Sequence, residues 1–220
     1  MEPIKKPRVK ICCMGSVEEM RLAVRYGTSA VGLVSAMPSG PGVISEEEIT
    51  RIAAVTPPGV ASFLLTCIQD AAGIIEQQRR CRTNTIQIVD RLEVGTYQEI
   101  REALPGIKIV QVIHVVDESS LEEAAAIAPQ VDALLLDSGN QSLAIKELGG
   151  TGRVHNWAIS RRIRERVDVP LYLAGGLNAG NVQEAIAYVG PFGLDLCSSV
   201  RSDGRLDEVK LERLFAAINE

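Results

Sequence analysis

Two reactive side chains end apolar runs of this sequence. Cys12 ends the run VKIC, and Asp137 ends the later run VDALLLD. In a parallel α/β protein the strand ends face the rim where ligands bind, so both side chains are expected there. A thiol with a tunable pKa suits a general base, and a carboxyl group that keeps its proton suits a general acid. The pair is a candidate base and acid; alternatively, Cys12 is an inert core residue and Asp137 caps a loop.

The elements that must position this pair alternate between strand-like and helix-like patterns. Short runs rich in Leu and β-branched residues predict eight strands, near residues 9–13, 29–36, 60–66, 85–89, 107–113, 132–137, 169–175 and 193–199. A Ser or Thr followed three residues later by Glu predicts the start of four intervening helices, at Ser16, Ser45, Thr96 and Ser119.

The alternation of strand and helix predicts the fold. Eight such units over 220 residues, without a linker, predict a closed (β/α)8 barrel that forms a single domain, residues 1–220. An open doubly wound sheet is the alternative, but the first helix lacks the GxGxxG pattern that commonly accompanies it. Two long connections, 36–44 and 138–156, are predicted to lie on the rim as substrate loops. Within the second, GGTGR is predicted to be a lid hinge.

The composition limits the class of partner. Hydrophobic residues make up 46% of the chain and aromatic residues only 4%, which is typical of a parallel sheet core. A net charge of −5 argues against a surface for nucleic acid or anionic lipid. No apolar run reaches the ~18 residues of a membrane span, and no apolar signal segment follows the basic N-terminus. We therefore expect a cytoplasmic protein that binds a small molecule, and the sequence does not indicate an oligomeric state.

The cysteines do not predict a metal site. Five are present, at positions 12, 13, 67, 81 and 197, and none of them forms a CxxC pair. We expect reduced thiols, most of which are buried as small apolar residues.

The last two predicted strands end in segments that suit an anion. Gly175 and Gly176 let backbone amides approach a phosphate closely, and a short helix after Asn178 would direct its positive end toward the phosphate. Ser198 and Ser199 add hydroxyl and amide donors. Because barrels frequently hold phosphate in the loops after strands seven and eight, a phosphate site is predicted here. Each segment alone also suits a tight turn or a helix cap.

Five segments together carry a family resemblance: VKICC at 9–13, DALLLDS at 132–138, GGTGRVHNW at 149–157, PLYLAGGLNAGNVQEAI at 170–186 and GPFGLDLCSSV at 190–200. In order and spacing the chain resembles the phosphoribosylanthranilate isomerases of tryptophan biosynthesis over almost its whole length. The resemblance implies a cofactor-independent Amadori rearrangement of a phosphosugar, N-(5-phosphoribosyl)anthranilate. It implies that Asp137 protonates the furanose ring oxygen and that Cys12 then removes the proton from ribose C2. Asp195 matches a polar family residue near the substrate, but it could equally pair with Lys10 inside the barrel.

The chain departs from the family around the anthranilate end of the substrate. Gly42, in PSGPG, stands where the family Arg of PKSPR takes the anthranilate carboxylate. The other departures are Cys13 for Gly, Val89 for His, Asp90 for Gly, His114 for Arg, and Ser199, Val200 and Arg201 for Gly-Val-Glu. Arg201, Arg153 or His155 could supply a substitute charge. The acid–base pair and the phosphate segments are retained.

Two further hypotheses follow from these departures. Because Gly42 carries no cation, the substrate could be a different phosphosugar, one without the anthranilate carboxylate. Alternatively, the barrel could keep the scaffold and the anion site as a non-catalytic phosphate-binding protein. The retention of both Cys12 and Asp137 favours an enzyme.

Overall fold

The structure is a computed structural model that describes residues 6–139, 148 and 155–219. Eight parallel strands follow one another around a closed barrel, in which the eighth strand is hydrogen-bonded to the first. The strands are β1 (Arg8–Ile11), β2 (Ala30–Val34), β3 (Ala61–Thr66), β4 (Thr85–Ile88), β5 (Lys108–His114), β6 (Ala133–Asp137), β7 (Leu171–Leu173) and β8 (Gly193–Leu196). The predicted closed barrel is confirmed, and each predicted strand overlaps an observed one.

Helices cover the outside of the barrel. They are α1 (Val17–Arg25), α2 (Glu46–Val55), α3 (Ala71–Cys81), α4 (Tyr97–Ala103), α5 (Ser119–Ile127), α6 (Trp157–Arg166), α7 (Val182–Val189) and α8 (Glu208–Asn219). Short 3-10 helices span Ala128–Gln130 and Ser198–Val200. A hairpin of β9 (Arg201–Ser202) and β10 (Arg205–Leu206) precedes α8, and its strands are too short to show a pattern in the sequence. Within the described residues, no helix has the length and apolar character needed to cross a membrane.

The predicted helix starts are mostly confirmed. Ser16, Ser45 and Thr96 each accept a hydrogen bond from the backbone N–H three residues later, at 3.3, 3.2 and 3.1 Å. The prediction at Ser119 is wrong, because Ser119 is itself the first residue of α5. Asp117 accepts hydrogen bonds from the N–H and the hydroxyl of Ser119, at 2.8 and 2.6 Å. A charged carboxylate is the stronger acceptor, so it takes both donors.

Side chains alternate between the two faces of the barrel wall, as the pleat of each strand requires. Outward residues such as Ile11 and Leu64 pack against the helices in the main apolar core. The inward residues include Phe63 and Tyr172, whose rings meet edge to face with centroids 5.9 Å apart. Because such rings fill the interior, the space that a ligand can occupy lies at the carboxyl ends of the strands.

Candidate active site

A pocket opens at the carboxyl ends of the strands, at the rim predicted from the sequence. Cys12, Asp137 and Asp195 line it. The turn after β7 and the segment after β8 also line it, through Gly175, Gly176, Ser198 and Ser199. The remaining predicted site residues lie outside its lining: Lys10, His114, Asn178 and Arg201. The structure thus brings the candidate base, acid and phosphate segments to one place.

Cys12 directly follows β1 and is 6% exposed. Its backbone N–H donates to Leu196 O at 2.7 Å, which fixes Cys12 beside β8. The pKa of the Cys12 thiol lies below its ordinary value because the Cys13 thiol donates a hydrogen bond to it. Burial opposes this shift, while the positive charge of Lys10 supports it. A larger thiolate fraction near neutral pH suits a general base.

Lys10 and Asp195 form an ion pair inside the barrel. Lys10 Nζ donates to Asp195 Oδ1 at 2.8 Å, and the Lys10 side chain is fully buried. Burial alone would lower the pKa of Lys10, but the negative charges of Asp195 and Cys12 raise it above its ordinary value. The ammonium group therefore stays charged and favours the thiolate of Cys12. The sequence left two alternatives for Asp195, a place near the substrate or a pair with Lys10. The structure shows that Asp195 both lines the pocket and pairs with Lys10.

Asp137 ends β6 and is 8% exposed. Its Oδ1 accepts a hydrogen bond from Ser138 N–H at 2.7 Å. Burial raises the pKa of Asp195, the Lys10 charge opposes that rise, and the negative charge of Asp137 adds to it. Two carboxyl groups that repel each other favour a state in which one of them holds a proton. The pocket can therefore hold both a base and a proton donor.

The turn after β7 and the 3-10 helix after β8 can hold an anion. Gly175 and Gly176 adopt φ angles of +80° and +65°, a left-handed conformation that favours glycine. Ser199 Oγ is buried and has no hydrogen-bond partner among the residues that the structure describes. An unpaired hydroxyl beside a glycine turn suits a phosphate. Asn178 supports the turn instead of lining the pocket, because its Nδ2 donates to Gly176 O at 3.2 Å.

Comparison with known proteins identifies the family to which this pocket belongs. The sequence profile of N-(5'phosphoribosyl)anthranilate (PRA) isomerase matches residues 9–217. The chain belongs to the PRA isomerase family. The PRA isomerase of Methanosarcina acetivorans is 32% identical over 226 residues, which cover 97% of this chain and 93% of that protein. The PRA isomerase of Halobacterium salinarum is 35% identical over 196 residues, covering 89% and 87%.

Solved PRA isomerases share the fold over nearly the whole chain. The enzyme from Thermotoga maritima superimposes with a TM-score of 0.78 at 26% identity, covering 97% of this chain and 98% of that chain. Another solved PRA isomerase, in complex with reduced 1-(o-carboxyphenylamino)-1-deoxyribulose 5-phosphate, gives a TM-score of 0.76 at 25% identity, with coverage of 97% and 98%.

A glycine on β2 makes room for the candidate base. A Cβ at Gly32 would lie 2.7 Å from Cys12 Sγ and 3.1 Å from Lys10 Nζ. The sequence analysis did not select Gly32, although a glycine inside an apolar strand is a sign of close approach by another group. Gly32 therefore belongs to the architecture of the site.

We expect Gly32→Ala to lower kcat for the PRA isomerase reaction by about tenfold or more, because the added methyl group displaces Cys12 and misplaced reacting groups are costly. Stability should fall by roughly 1 to 3 kcal/mol, as in other overpacked sites. Steady-state kinetics and urea unfolding measure the two effects. The control is Gly15→Ala, whose added carbon would meet Glu19 Oε2 at an ordinary 3.6 Å. Equal kinetics in the two variants would contradict the assigned role of Gly32.

Two departures from the family lie against each other. By the resemblance described above, Gly42 stands at the position of the family Arg and Cys13 at the position of a family Gly. Their φ angles are +78° and +64°. A Cβ at Gly42 would overlap Cys13 Cβ and lie 3.0 Å from Cys13 Cα. The two departures are therefore coupled, because the Cys13 side chain occupies the space that a side chain at position 42 would need.

We expect Gly42→Arg alone to destabilise the protein, and Cys13→Gly in the same chain to recover much of that loss. Glycine removes the Cβ and Sγ atoms that the arginine Cβ would overlap and tolerates the left-handed backbone at position 13, whereas the close approach to the Cα of residue 13 and the left-handed φ of position 42 remain. A double-mutant cycle should show an interaction energy of roughly 1 to 3 kcal/mol. Equilibrium unfolding of the wild type, the two single variants and the double variant measures this energy. Strictly additive losses would show that the two positions are independent.

Arg201 does not supply a charge to the pocket. Its guanidinium donates to both carboxylate oxygens of Glu19, at 3.1 to 3.2 Å, and to Gly204 O at 3.0 Å. It also donates to Cys12 O, at 3.2 Å, and to Cys13 O. Because these donors are used within the protein, the structure does not support Arg201 as a substitute for the family Arg. Its role is to hold the backbone at the end of β1.

The histidines do not supply that charge either. Burial lowers the pKa of His155 to about 4, against the attraction of Asp137, so the imidazole is neutral near pH 7. His114 Nε2 lies 2.9 Å from Val89 O, away from the pocket lining. Arg153 and the GGTGR segment lie outside the described residues. Among the described residues that line the pocket, the acidic residues Asp137 and Asp195 are present and no Lys, Arg or His is.

Gln87 is a polar pocket residue that sequence reasoning missed. Gln87, on β4, lines the pocket, and its Oε1 is buried without a hydrogen-bond partner in the described part of the chain. A glutamine inside an apolar strand was the available signal, because buried polar groups need partners. Gln87 is available to accept a hydrogen bond from a hydroxyl group of a ligand.

Proposed function

We propose that this chain converts N-(5-phosphoribosyl)anthranilate to 1-(2-carboxyphenylamino)-1-deoxyribulose 5-phosphate, with Cys12 as general base and Asp137 as general acid. The observation that supports these roles is the shared pocket, in which both residues stand beside the glycine turn and the paired serines. A phosphosugar bound there by its phosphate would present its ribose to both reactive groups. No cofactor enters the mechanism.

The first chemical step opens the furanose ring. Asp137 donates a proton to the ring oxygen as the bond from that oxygen to C1 breaks, and the anilino nitrogen becomes an iminium. The carboxyl group is suited to this step because it lies at the pocket wall and is 8% exposed. Water that would compete for its proton is largely excluded.

The second step removes a proton from ribose C2. The iminium makes this proton acidic, and the Cys12 thiolate takes it to give an enolamine, which relaxes to the ketone. The hydrogen bond from Cys13 and the positive charge of Lys10 lower the pKa of Cys12, which supports a thiolate at this position. Gln87 is placed to accept a hydrogen bond from a sugar hydroxyl during both steps.

The phosphate group would be held by the turn at Gly175 and Gly176 together with Ser198 and Ser199. Glycines in the left-handed conformation leave backbone amides open to an anion, and the Ser199 hydroxyl, which has no partner among the described residues, supplies a donor. These phosphate-binding residues are remote from the reacting bonds. They therefore bind the substrate and the transition state equally well and contribute mainly to KM.

The direct test follows the loss of fluorescence of freshly prepared phosphoribosylanthranilate with the purified protein. We expect multiple turnovers, and none in a Cys12→Ala, Asp137→Ala double variant. Turnover by the double variant at the wild-type rate would refute the assigned roles. Absence of turnover by the wild type would refute the proposed substrate.

A second candidate substrate is a phosphosugar without the anthranilate carboxylate. It is favoured by one observation, that the charged residues among the described pocket lining are both acidic. A thermal-shift panel separates the two substrates, because a ligand that binds the folded state raises Tm. Stabilisation by sugar phosphates but not by anthranilate-bearing analogues would support the second substrate. Stronger stabilisation by the anthranilate-bearing analogues would support the first.

A further inference from the structure

We propose that Cys13 and Cys197 form a reversible disulfide inside the pocket by reaction with a hydroperoxide, and that this bond lowers catalysis by removing the hydrogen bond from Cys13 to Cys12. The disulfide itself is independent of the proposed function. Only its effect on turnover rests on that function.

The fold brings these two sulfurs together. Cys13 Sγ and Cys197 Sγ are 2.7 Å apart. β1 and β8 are parallel neighbours, with Ile11 opposite Leu196, so the residues that follow them stay close. A disulfide needs about 2.05 Å between its sulfurs, so a movement of about 0.7 Å closes the bond.

The left-handed backbone at Cys13 is what turns its thiol inward. Along a strand, residues alternate between the two faces, so a residue after Cys12 would ordinarily face the helices. Cys13 instead has φ +64° and belongs with Cys12 to the inner apolar cluster. Its Sγ can therefore contact Cys197 on one side and Cys12 on the other. The Arg201 guanidinium holds this turn by binding Cys12 O and Cys13 O.

The three thiols form a hydrogen-bonded chain. Cys197 Sγ donates to Cys13 Sγ, and the Cys13 thiol donates to Cys12. The pKa of Cys13 is raised chiefly because its thiol donates a hydrogen bond to Cys12. The proton therefore stays on Cys13, and Cys13 acts as a donor to the Cys12 thiolate. Disulfide formation consumes that proton donor. The pKa of Cys12 then rises, and its thiolate fraction at a given pH falls.

Cys197 is the sulfur that an oxidant reaches first. Both cysteines line the pocket, but Cys197 is partly exposed whereas Cys13 is 6% exposed. The Cys197 sulfur attacks the O–O bond of the hydroperoxide and its thiol proton passes to the leaving oxygen, which gives a sulfenic acid and an alcohol, or water from hydrogen peroxide. The Cys13 sulfur then attacks the sulfenic sulfur as its thiol proton passes to the Cys12 thiolate, and the S–S bond forms as hydroxide leaves and takes up that proton as water. Two thiols are oxidised and one peroxide bond is reduced, and a dithiol reverses the process by exchange.

Peptide mapping by mass spectrometry tests the bond without reference to activity. After equimolar hydrogen peroxide and a thiol-blocking reagent, non-reducing tryptic digestion should give residues 11–21 linked to residues 167–201. Both peptides follow from cleavage after Lys10, Arg21, Arg166 and Arg201. The link should persist in Cys12→Ala and in the control Cys67→Ser, and it should be absent from Cys13→Gly and Cys197→Ser.

The outcomes separate this proposal from the isomerase function. No link in the wild type, or a link that persists in Cys13→Gly, would overturn the disulfide. With the link formed, we expect kcat/KM at pH 7 to fall by about tenfold or more, because loss of the Cys13 hydrogen bond raises the pKa of Cys12 and lowers its thiolate fraction, and to recover with dithiothreitol. Linked protein with unchanged kcat/KM would overturn the effect on catalysis. If the wild type forms the link after peroxide but does not turn over PRA in its reduced state, only the proposed function is refuted.

Discussion

Asp137→Asn and Cys12→Ala should each lower kcat for the isomerase reaction by roughly 10²- to 10⁴-fold, the range that a positioned general acid or base contributes. Asparagine keeps the shape of the side chain and the acceptor for Ser138 N–H, but it cannot donate the proton that opens the ring. Alanine removes the thiolate. KM should change little, because the phosphate segments stay in place. Steady-state kinetics with each purified variant measures both constants.

Matched controls separate chemistry from folding. Cys67→Ala removes a thiol that lies away from the pocket lining and donates to Ala36 O at 3.4 Å. Asp168→Asn removes an exposed carboxylate. Both controls should retain wild-type kcat, and all four variants should melt within a few degrees of the wild type. A loss in kcat of less than tenfold in Asp137→Asn or Cys12→Ala would exclude that residue from acid–base catalysis.

The pH profile gives an independent test of Cys12. The base works as a thiolate, so kcat/KM should rise with pH through the Cys12 pKa. The hydrogen bond from Cys13 is the largest cause that holds this pKa below the ordinary value of 9.0. The rise should therefore be centred below pH 9.0 in the wild type, and at a higher pH in Cys13→Gly. Superimposable profiles would show that Cys13 does not act on the base.

Lys10→Met should destabilise the protein by roughly 3 to 5 kcal/mol, because it leaves the buried Asp195 carboxylate without its partner. Methionine is close to lysine in length, so packing changes little. The Lys10 side chain is fully buried and that of Asp195 is 9% exposed, which limits screening by water. Urea unfolding measures the loss. The surface control is Lys108→Met, which breaks a pair to Asp132 from a 64% exposed side chain and should cost less than about 1 kcal/mol.

The sign of the pH dependence identifies the cause of that loss. Without Lys10, the pKa of the folded Asp195 carboxyl rises further above its ordinary value of 3.8. The unfolded chain then gives up a proton that the folded chain keeps, so the loss in stability grows as pH rises above that value. Lys10→Met with Asp195→Asn should recover much of the stability, but not kcat, because the Cys12 thiolate still lacks the lysine charge. A pH-independent loss would place the cause in packing.

The fold and the outline of the site could be predicted from local sequence signals. Eight apolar runs, each too short for a helix and separated by helical intervals, are sufficient to indicate a parallel barrel. Cys12 and Asp137 are found because each ends such a run, and all parallel strands end at one rim. Gly175 and Gly176 are found because a left-handed turn favours glycine wherever it occurs. Ser119 shows the limit of local signals, since the nearby Asp117 takes its donors.

The tertiary structure decided which groups act on the reactive pair. Lys10 is 185 residues from Asp195, and Cys13 is 184 residues from Cys197, yet each pair is in contact. These contacts depend on the register of β1 against β8 and on one left-handed residue, neither of which a single sequence displays. The role of Arg201 was likewise decided by the tertiary structure, because only the folded hairpin shows that its guanidinium binds the backbone at the end of β1. The sequence by itself determined where the chemistry lies, and the closure of the barrel, which joins the first strand to the last, decided how the chemistry is tuned.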